Sequence, residues 1–248
     1  MSVLLRADSI GKSYRGRKVL SSAYVQAETG VVTALVGRNG SGKSTLLGIA
    51  AGWLAADSGM VEFRGRRHRR PHPGAMARDG LFFLPVERSI LSPALTLAQH
   101  LDAVEARFGR CADRSGLLER LGIAALERVR TAALSSGERR RAQLAVALAR
   151  RAACLLLDEP FRGIDPRDAE VVHAEIRAAP HAGSAVLFTG HEIPQLLTLA
   201  DSVTWVRDGS TQLLGSPAAA STHFHFRRDY LGCGRESTVR RAPGAPLV

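Results

Sequence analysis

Cysteine is scarce in this chain. Cys111, Cys154 and Cys233 lie far apart and match no metal-ligand or disulfide spacing, so neither a disulfide framework nor a cysteine metal site is expected. Cys154 falls in an apolar run and reads as a small core residue. Lysine is almost missing: of 34 basic residues only Lys12, Lys18 and Lys43 are lysines. That excess of arginine carries little functional weight, but it leaves Lys43 conspicuous. No run approaches the roughly 18 to 20 apolar residues that cross a bilayer. The opening MSVLLRADSIGKSY lacks the basic, apolar, small-residue order of a secretory signal. These absences place the chain in the cytoplasm. What remains is ordinary for a globular protein with a proper core: 248 residues, 45% hydrophobic and 23% charged. A net charge of +11 suits either nucleic acid or an anionic membrane face and does not separate them.

Against this background one stretch stands out. GRNGSGKST comprises Gly37, Arg38, Asn39, Gly40, Ser41, Gly42, Lys43, Ser44 and Thr45. It satisfies the phosphate-loop pattern GxxxxGK[ST]. The preceding VVTALV is apolar and β-branched, as a buried parallel strand should be. The following STLLGIAAG has helical composition and stops at Gly52. A loop between strand and helix is the context in which the motif works. Glycines let backbone N–H groups converge on phosphate oxygens, and the helix N-terminus adds partial positive charge. Lys43 is expected to reach the β- and γ-phosphates, and the Ser44 hydroxyl to ligate Mg²⁺. The chain is therefore expected to bind a nucleoside triphosphate.

Elsewhere the pattern is that of an α/β protein. The stretches 3–10, 18–20 and 23–30 read as short strands divided by glycine and charged turns, an antiparallel edge layer. Residues 60–74 begin as a strand and become a basic loop with Arg64, Arg66, Arg67, Arg69 and Arg70. His68 and His72 are four apart there, but the prolines argue against a helix that would pair them. A solvated loop is the plain reading, and contact with anionic lipid the alternative. Leu97, Leu101, Val104 and Phe108 recur at helical spacing, followed by a second helix at Leu117, Leu118 and Leu121. A third helix begins near Gly137, with Leu144, Ala145, Leu148 and Ala149 on one face. CLLLDEP is a continuous apolar strand ending in two carboxylates, at the edge where open parallel sheets place ligand chemistry. Asp158 fits a Walker B metal-site aspartate acting with Ser44, and Glu159 is placed to orient or deprotonate water. AVLFTGHE is another buried strand, and it leads to His191. The tail 233–248 is polar and proline-rich and is expected to be disordered.

Taken in order, these residues resemble the ATP-binding subunits of ABC transporters over roughly 1–232, with a helical subdomain at about 88–150. Tyr14 matches the aromatic that stacks on adenine, and GRNGSGKST matches Walker A. LSSGE carries the signature residues Ser135, Ser136, Gly137 and Glu138. LLLDEP matches Walker B, with Glu159 in the catalytic position. Asp165 matches the D-loop, and His191 the switch histidine. The resemblance implies an α/β phosphate-loop ATPase core with a parallel sheet, an antiparallel β edge layer and a helical subdomain. It implies hydrolysis of MgATP, and two ATP-binding subunits that sandwich nucleotide between Walker A of one and the signature of the other. It also implies transmembrane permease subunits that hold the chain at the cytoplasmic face of the membrane, and no nucleic acid. Two alternatives stay open beside it: a soluble ABC ATPase of cofactor assembly or repair, and a nucleotide-gated regulatory module.

The chain departs from the family pattern in two places. Ser136 stands where the first of two glycines is usual, and Glu138 where glutamine is common. No glutamine occurs at the Q-loop: counting back from Leu95–Thr96 puts Glu87 there, and counting forward from Leu84–Pro85 puts Val86 there. A valine offers no lone pair to metal or water, so Glu87 is the candidate. DEPFRGIDP, GERRR and Tyr230–Leu231–Gly232 resemble the lipopolysaccharide-export and branched-chain amino-acid import ATPases.

Overall fold

A computed structural model describes residues 2–180 and 184–231, and the tail expected to be disordered lies outside the described residues. Strands β1 (Val3–Tyr14) and β2 (Arg17–Glu28) form one long antiparallel hairpin. The sequence suggested shorter pieces. Register shifts absorb the irregularities around Ser9 to Ser13, so glycine and charge bend the hairpin without breaking it. β3 (Val32–Val36) is fully buried and delivers the phosphate loop to α1 (Lys43–Ala50).

β4 (Ser58–Phe63) and β5 (Arg66–His68) pair antiparallel, and α2 (Pro73–Arg78) follows. The basic stretch is thus more ordered than a solvated loop. Arg67 pairs with Glu62 at 3.1 Å, and Arg64 donates to the Asp79 carbonyl at 2.8 Å. His68 ends β5 and His72 precedes α2, so no helix pairs them, as the prolines suggest. Pro73 stands in the first turn, where a missing N–H costs nothing, and the His72 ring accepts from Gly74 N–H as its cap.

β6 (Leu81–Leu84) is followed by α3 (Leu97–Phe108), α4 (Arg114–Arg120) and α5 (Ser136–Ala149). Capping boxes at Thr96/Gln99 and Ser135/Glu138 start α3 and α5. Instead of burying a single stripe, α5 is enclosed nearly all round beyond its first turn, from Arg140 and Ala142 through Ala147 to Ala149. Then come β7 (Cys154–Leu157), α6 (Pro166–Ala178), β8 (Ala185–Thr189), α7 (Ile193–Leu199), β9 (Ser202–Arg207) and β10 (Ser210–Gly215). Two short helices, α8 (Pro217–Thr222) and α9 (Phe224–Phe226), run into a wide helical turn over Arg227–Leu231.

The strands form one curled sheet in the order β5-β4-β1-β2-β10-β9-β3-β8-β7-β6. From β9 to β6 all neighbours are parallel; β5, β4, β1 and β2 form the antiparallel layer. Alternation along the parallel strands feeds two cores. Val32, Ala34, Leu155, Leu157, Val186 and Phe188 face α3 to α8, whereas Leu35, Leu156 and Leu187 face α1 and the antiparallel layer. This is the expected α/β architecture. Among the described residues no helix is long and apolar enough to cross a membrane.

Register places the chemistry. Leu35 pairs with Thr189, and Leu157 pairs with Phe188. The ends of β3, β7 and β8 therefore lie side by side, which sets the phosphate loop, Asp158 and Thr189 next to one another.

Candidate active site

The phosphate loop is built around glycine. Gly42 adopts a left-handed conformation (φ 102°) at the start of α1, where an added Cβ would meet the Leu20 side chain at 2.7 Å. At Gly37 an added Cβ would lie 2.6 Å from the Val206 carbonyl, so the loop packs directly on β9. Lys43 is buried and donates to the carbonyls of Gly37 at 2.8 Å and Arg38 at 3.1 Å. Burial holds its pKa below the usual lysine value, and the nearby carboxylates of Glu159 and Asp158 oppose that shift. The ammonium is thus held over the loop with its charge incompletely solvated, a state that favours an incoming anion.

Ser44 Oγ donates to Asp158 Oδ1 at 3.0 Å, and Thr189 Oγ1 donates to the same oxygen at 2.6 Å. Paired hydroxyl and carboxylate oxygens are the hard ligands that Mg²⁺ takes, so the residues present suit that ion. The Thr189 hydroxyl also accepts from the Glu159 N–H at 3.0 Å. Glu159 has φ 47°, a left-handed conformation that is costly for a residue with a side chain. It lines an open cleft of about 260 Å³ together with Asn39, Gly40, Gly42, Lys43, Ser44 and Thr45. A second, narrow cleft joins Glu159 to Thr189 and His191. His191 also borders Gly37, Arg38 and Asn39 across a wider groove. The structure therefore gathers Walker A, Asp158, Glu159 and His191 about one place.

The remaining sequence candidates stand apart from the phosphate cleft. Ser135 and Ser136 are exposed at the start of α5. Ser135 Oγ accepts from Glu138 N–H at 3.3 Å, and the Glu138 carboxylate accepts from Ser135 N–H at 2.8 Å. These bonds hold the Glu138 carboxyl below the usual glutamate range. Gly137 faces its own chain's next loop, because an added Cβ would sit 3.2 Å from the Gly163 carbonyl. Asp165 caps α6 by accepting from Arg167 N–H at 3.0 Å. Tyr14 ends β1 half-exposed, with the Lys12 ammonium 5.4 Å from its ring centroid. Glu87 is 79% exposed and pairs with Arg162, itself 55% exposed, at 3.1 Å. None of these residues lines the cleft around Lys43 and Ser44.

Three residues at the site escape sequence reasoning. Thr189 reads only as the end of an apolar strand. Tyr230 donates its hydroxyl to the Gly37 carbonyl at 3.3 Å, bringing the C-terminal turn onto the phosphate loop from 193 positions away. Arg140 is 6% exposed and reaches from α5 to the carbonyls of Pro85, Asp158, Glu159 and Pro160. Burial pushes its pKa down to about 10, against the pull of Asp158 and Glu159. A signal for it was present, since Arg140 falls one helical turn before Leu144 on the buried stripe.

Comparison with known proteins identifies the family. The family model described as ABC transporter matches residues 20–162. A probable ABC transporter ATP-binding protein of Azorhizobium caulinodans is 35% identical, over 92% of this chain and 83% of its own length. The lipopolysaccharide export system ATP-binding protein LptB of Acidithiobacillus ferridurans is 35% identical over 94% and 98%, and that of Escherichia coli K12 is 30% identical over 92% and 97%. Among solved structures, the ADP conformation of an ATP-binding cassette of an ABC transporter superposes with a TM-score of 0.77 at 21% identity, covering 94% of this chain and 100% of that one, which speaks for the fold. The chain belongs to the family of ABC transporter ATP-binding proteins.

Proposed function

We propose that this subunit hydrolyses ATP in the cleft between the phosphate loop and Glu159. The observation that carries the reading is that Glu159 lines both the cleft of Lys43 and Ser44 and the cleft of His191. Backbone N–H groups of residues 39–45 cradle the phosphates, and the Lys43 ammonium turns from the loop carbonyls to the β- and γ-phosphates. Ser44 and Asp158 hold Mg²⁺, which when bound neutralises charge on the phosphate oxygens. Glu159 accepts a proton from the attacking water or aligns it. His191 donates to the γ-phosphate and steadies the water as charge redistributes. Tyr14 stacks on the base.

Ser135, Gly137 and the N-terminus of α5 do not line this cleft, and we assign them to the nucleotide of a second ATP-binding subunit. Asp165 lies in the same shared seam. The helical segment at about 88–150 docks on transmembrane permease subunits and holds the chain at the cytoplasmic face of the membrane. The relatives' names favour transport over soluble assembly or regulation. ABC ATP-binding subunits dimerise and act with permeases, and this chain is expected to do both.

The test is Glu159→Gln. ATP affinity should persist, and turnover should fall roughly 10²- to 10⁴-fold, the range of acid–base catalysis. Hydrolysis at the parent rate would remove Glu159 from the mechanism.

A further inference from the structure

We propose that Arg140 is a positioning residue for ATP hydrolysis: it clamps the backbone of Glu159 in its left-handed conformation and so aims the carboxylate into the phosphate cleft. The inference rests on the role assigned to Glu159 above.

Glu159 is one of the few non-glycine residues with positive φ, and it is the one at the reacting centre. A side chain at φ 47° is strained, and such a conformation persists only where surroundings over-determine it. Here both ends of the residue are held. Its N–H donates to Thr189 Oγ1 at 3.0 Å. Its carbonyl accepts from Arg162 N–H at 3.1 Å and from Arg140 Nη2 at 2.9 Å. The same Nη2 donates to the carbonyl of Asp158, Nε donates to that of Pro160 at 3.4 Å, and Nη1 donates to that of Pro85 at 3.0 Å. One planar guanidinium thus satisfies carbonyls at the end of β7 and at the end of β6, two adjacent strands whose departing loops diverge.

The chemistry favours arginine for this task. The carbonyls of Asp158 and Pro160 lie past the end of β7, where the guanidinium supplies their donors, and at Glu159 it adds a second donor to the Arg162 N–H. A rigid fork with several N–H groups serves diverging carbonyls, whereas an ammonium is a point charge. The buried cation also sits behind Asp158 and Glu159 and offsets their mutual repulsion. Neither Asp158 nor Glu159 is reached through its carboxylate, however. Arg140 takes up no carboxylate oxygen: Asp158 Oδ1 is held by Ser44 and Thr189 on the nucleotide side, and Glu159 lines the phosphate cleft, which separates a positioning role from a neutralising ion pair.

Arg140→Met keeps the length and apolar stem and removes every donor. Its kcat should fall roughly 10- to 100-fold, as for a misplaced catalytic group. Its KM for ATP should stay within about twofold, because the phosphate loop is untouched. Rates are expressed per nucleotide-binding site, titrated with a fluorescent ATP analogue, so a loss of folded protein does not register as lost kcat. Arg150→Met is the control. Arg150 is likewise buried on the α5 end and donates to backbone carbonyls of Leu81 and Ala77, far from Asp158, and its loss should leave basal kcat unchanged. If Arg140 acts through Glu159, adding Arg140→Met to Glu159→Gln should slow single-turnover hydrolysis hardly further. Parent-like kcat in Arg140→Met, or equal proportional losses in both backgrounds, overturns the proposal while leaving Glu159 in place. Parent-like hydrolysis by Glu159→Gln overturns both.

Discussion

Glu87 lies on the surface paired with Arg162. An exposed pair of this kind contributes about 0–1 kcal/mol, so ATP and Mg²⁺ can readily draw Glu87 away from Arg162. We place Glu87 at the Q-loop position, where its negative charge adds to that of the γ-phosphate and must be offset by cation. Glu87→Gln should therefore lower the free Mg²⁺ needed for half-maximal ATPase, with little change in melting temperature, and Val86→Ala should change neither. An unaltered Mg²⁺ profile in Glu87→Gln, with a shifted one in Val86→Ala, would move the position by one residue. Residues of this site differ in how far the chain spells them out. Lys43, Ser44 and Asp158 were legible because phosphate and metal chemistry fixes residue type and spacing. The roles of Arg140 and Thr189 were not, because their partners are brought close only by strand register. Spacing alone puts Arg140 on a buried stripe and Thr189 at a strand end.

Helix α5 has two roles at its first turn and is closed by a local device. Ser135 and Glu138 cap each other's backbone N–H groups, so fewer donors are left open at the exposed tip. Ser135→Ala should destabilise the fold by about 0.5–2 kcal/mol, read as a lowered melting temperature. The pH dependence follows in sign. The Glu138 carboxyl titrates lower in the folded chain than unfolded, so its contribution is full above the ordinary glutamate value and fades as pH falls through the folded value. The difference between parent and Glu138→Ala should therefore shrink in acid, and a gap that widens there would refute the capping account. This helix was legible from its apolar spacing, which put its start near Gly137; its burial on nearly every side was not, because the spacing showed a single face. The basic stretch was read as a loop and holds the short strand β5, whose pairing partner β4 a row of arginines does not announce; His68 and His72 share no helix, as the prolines suggested.

Across the whole molecule, strand order decides when the site can exist. β3 carries the phosphate loop, yet its two neighbours in the sheet are β8 and β9, drawn from the far end of the chain. Tyr230 then closes on Gly37. A chain cut after Ala178 keeps Walker A and Walker B but lacks both flanks of β3, so it should fail to bind a fluorescent ATP analogue. Binding at parent affinity would show that the loop is self-sufficient. Order of strands could not be read from the linear pattern, since every parallel strand here is simply an apolar run; the family resemblance supplied the architecture that periodicity could not. On the ribosome the same order has a consequence. β3 emerges early and waits for about 150 residues before β8 appears, which at roughly 5–20 residues per second is some 8–30 s. For that interval a strand that the finished fold buries along its whole length has both edges unpaired, making the half-made chain a natural client for chaperones and its translation speed a determinant of yield.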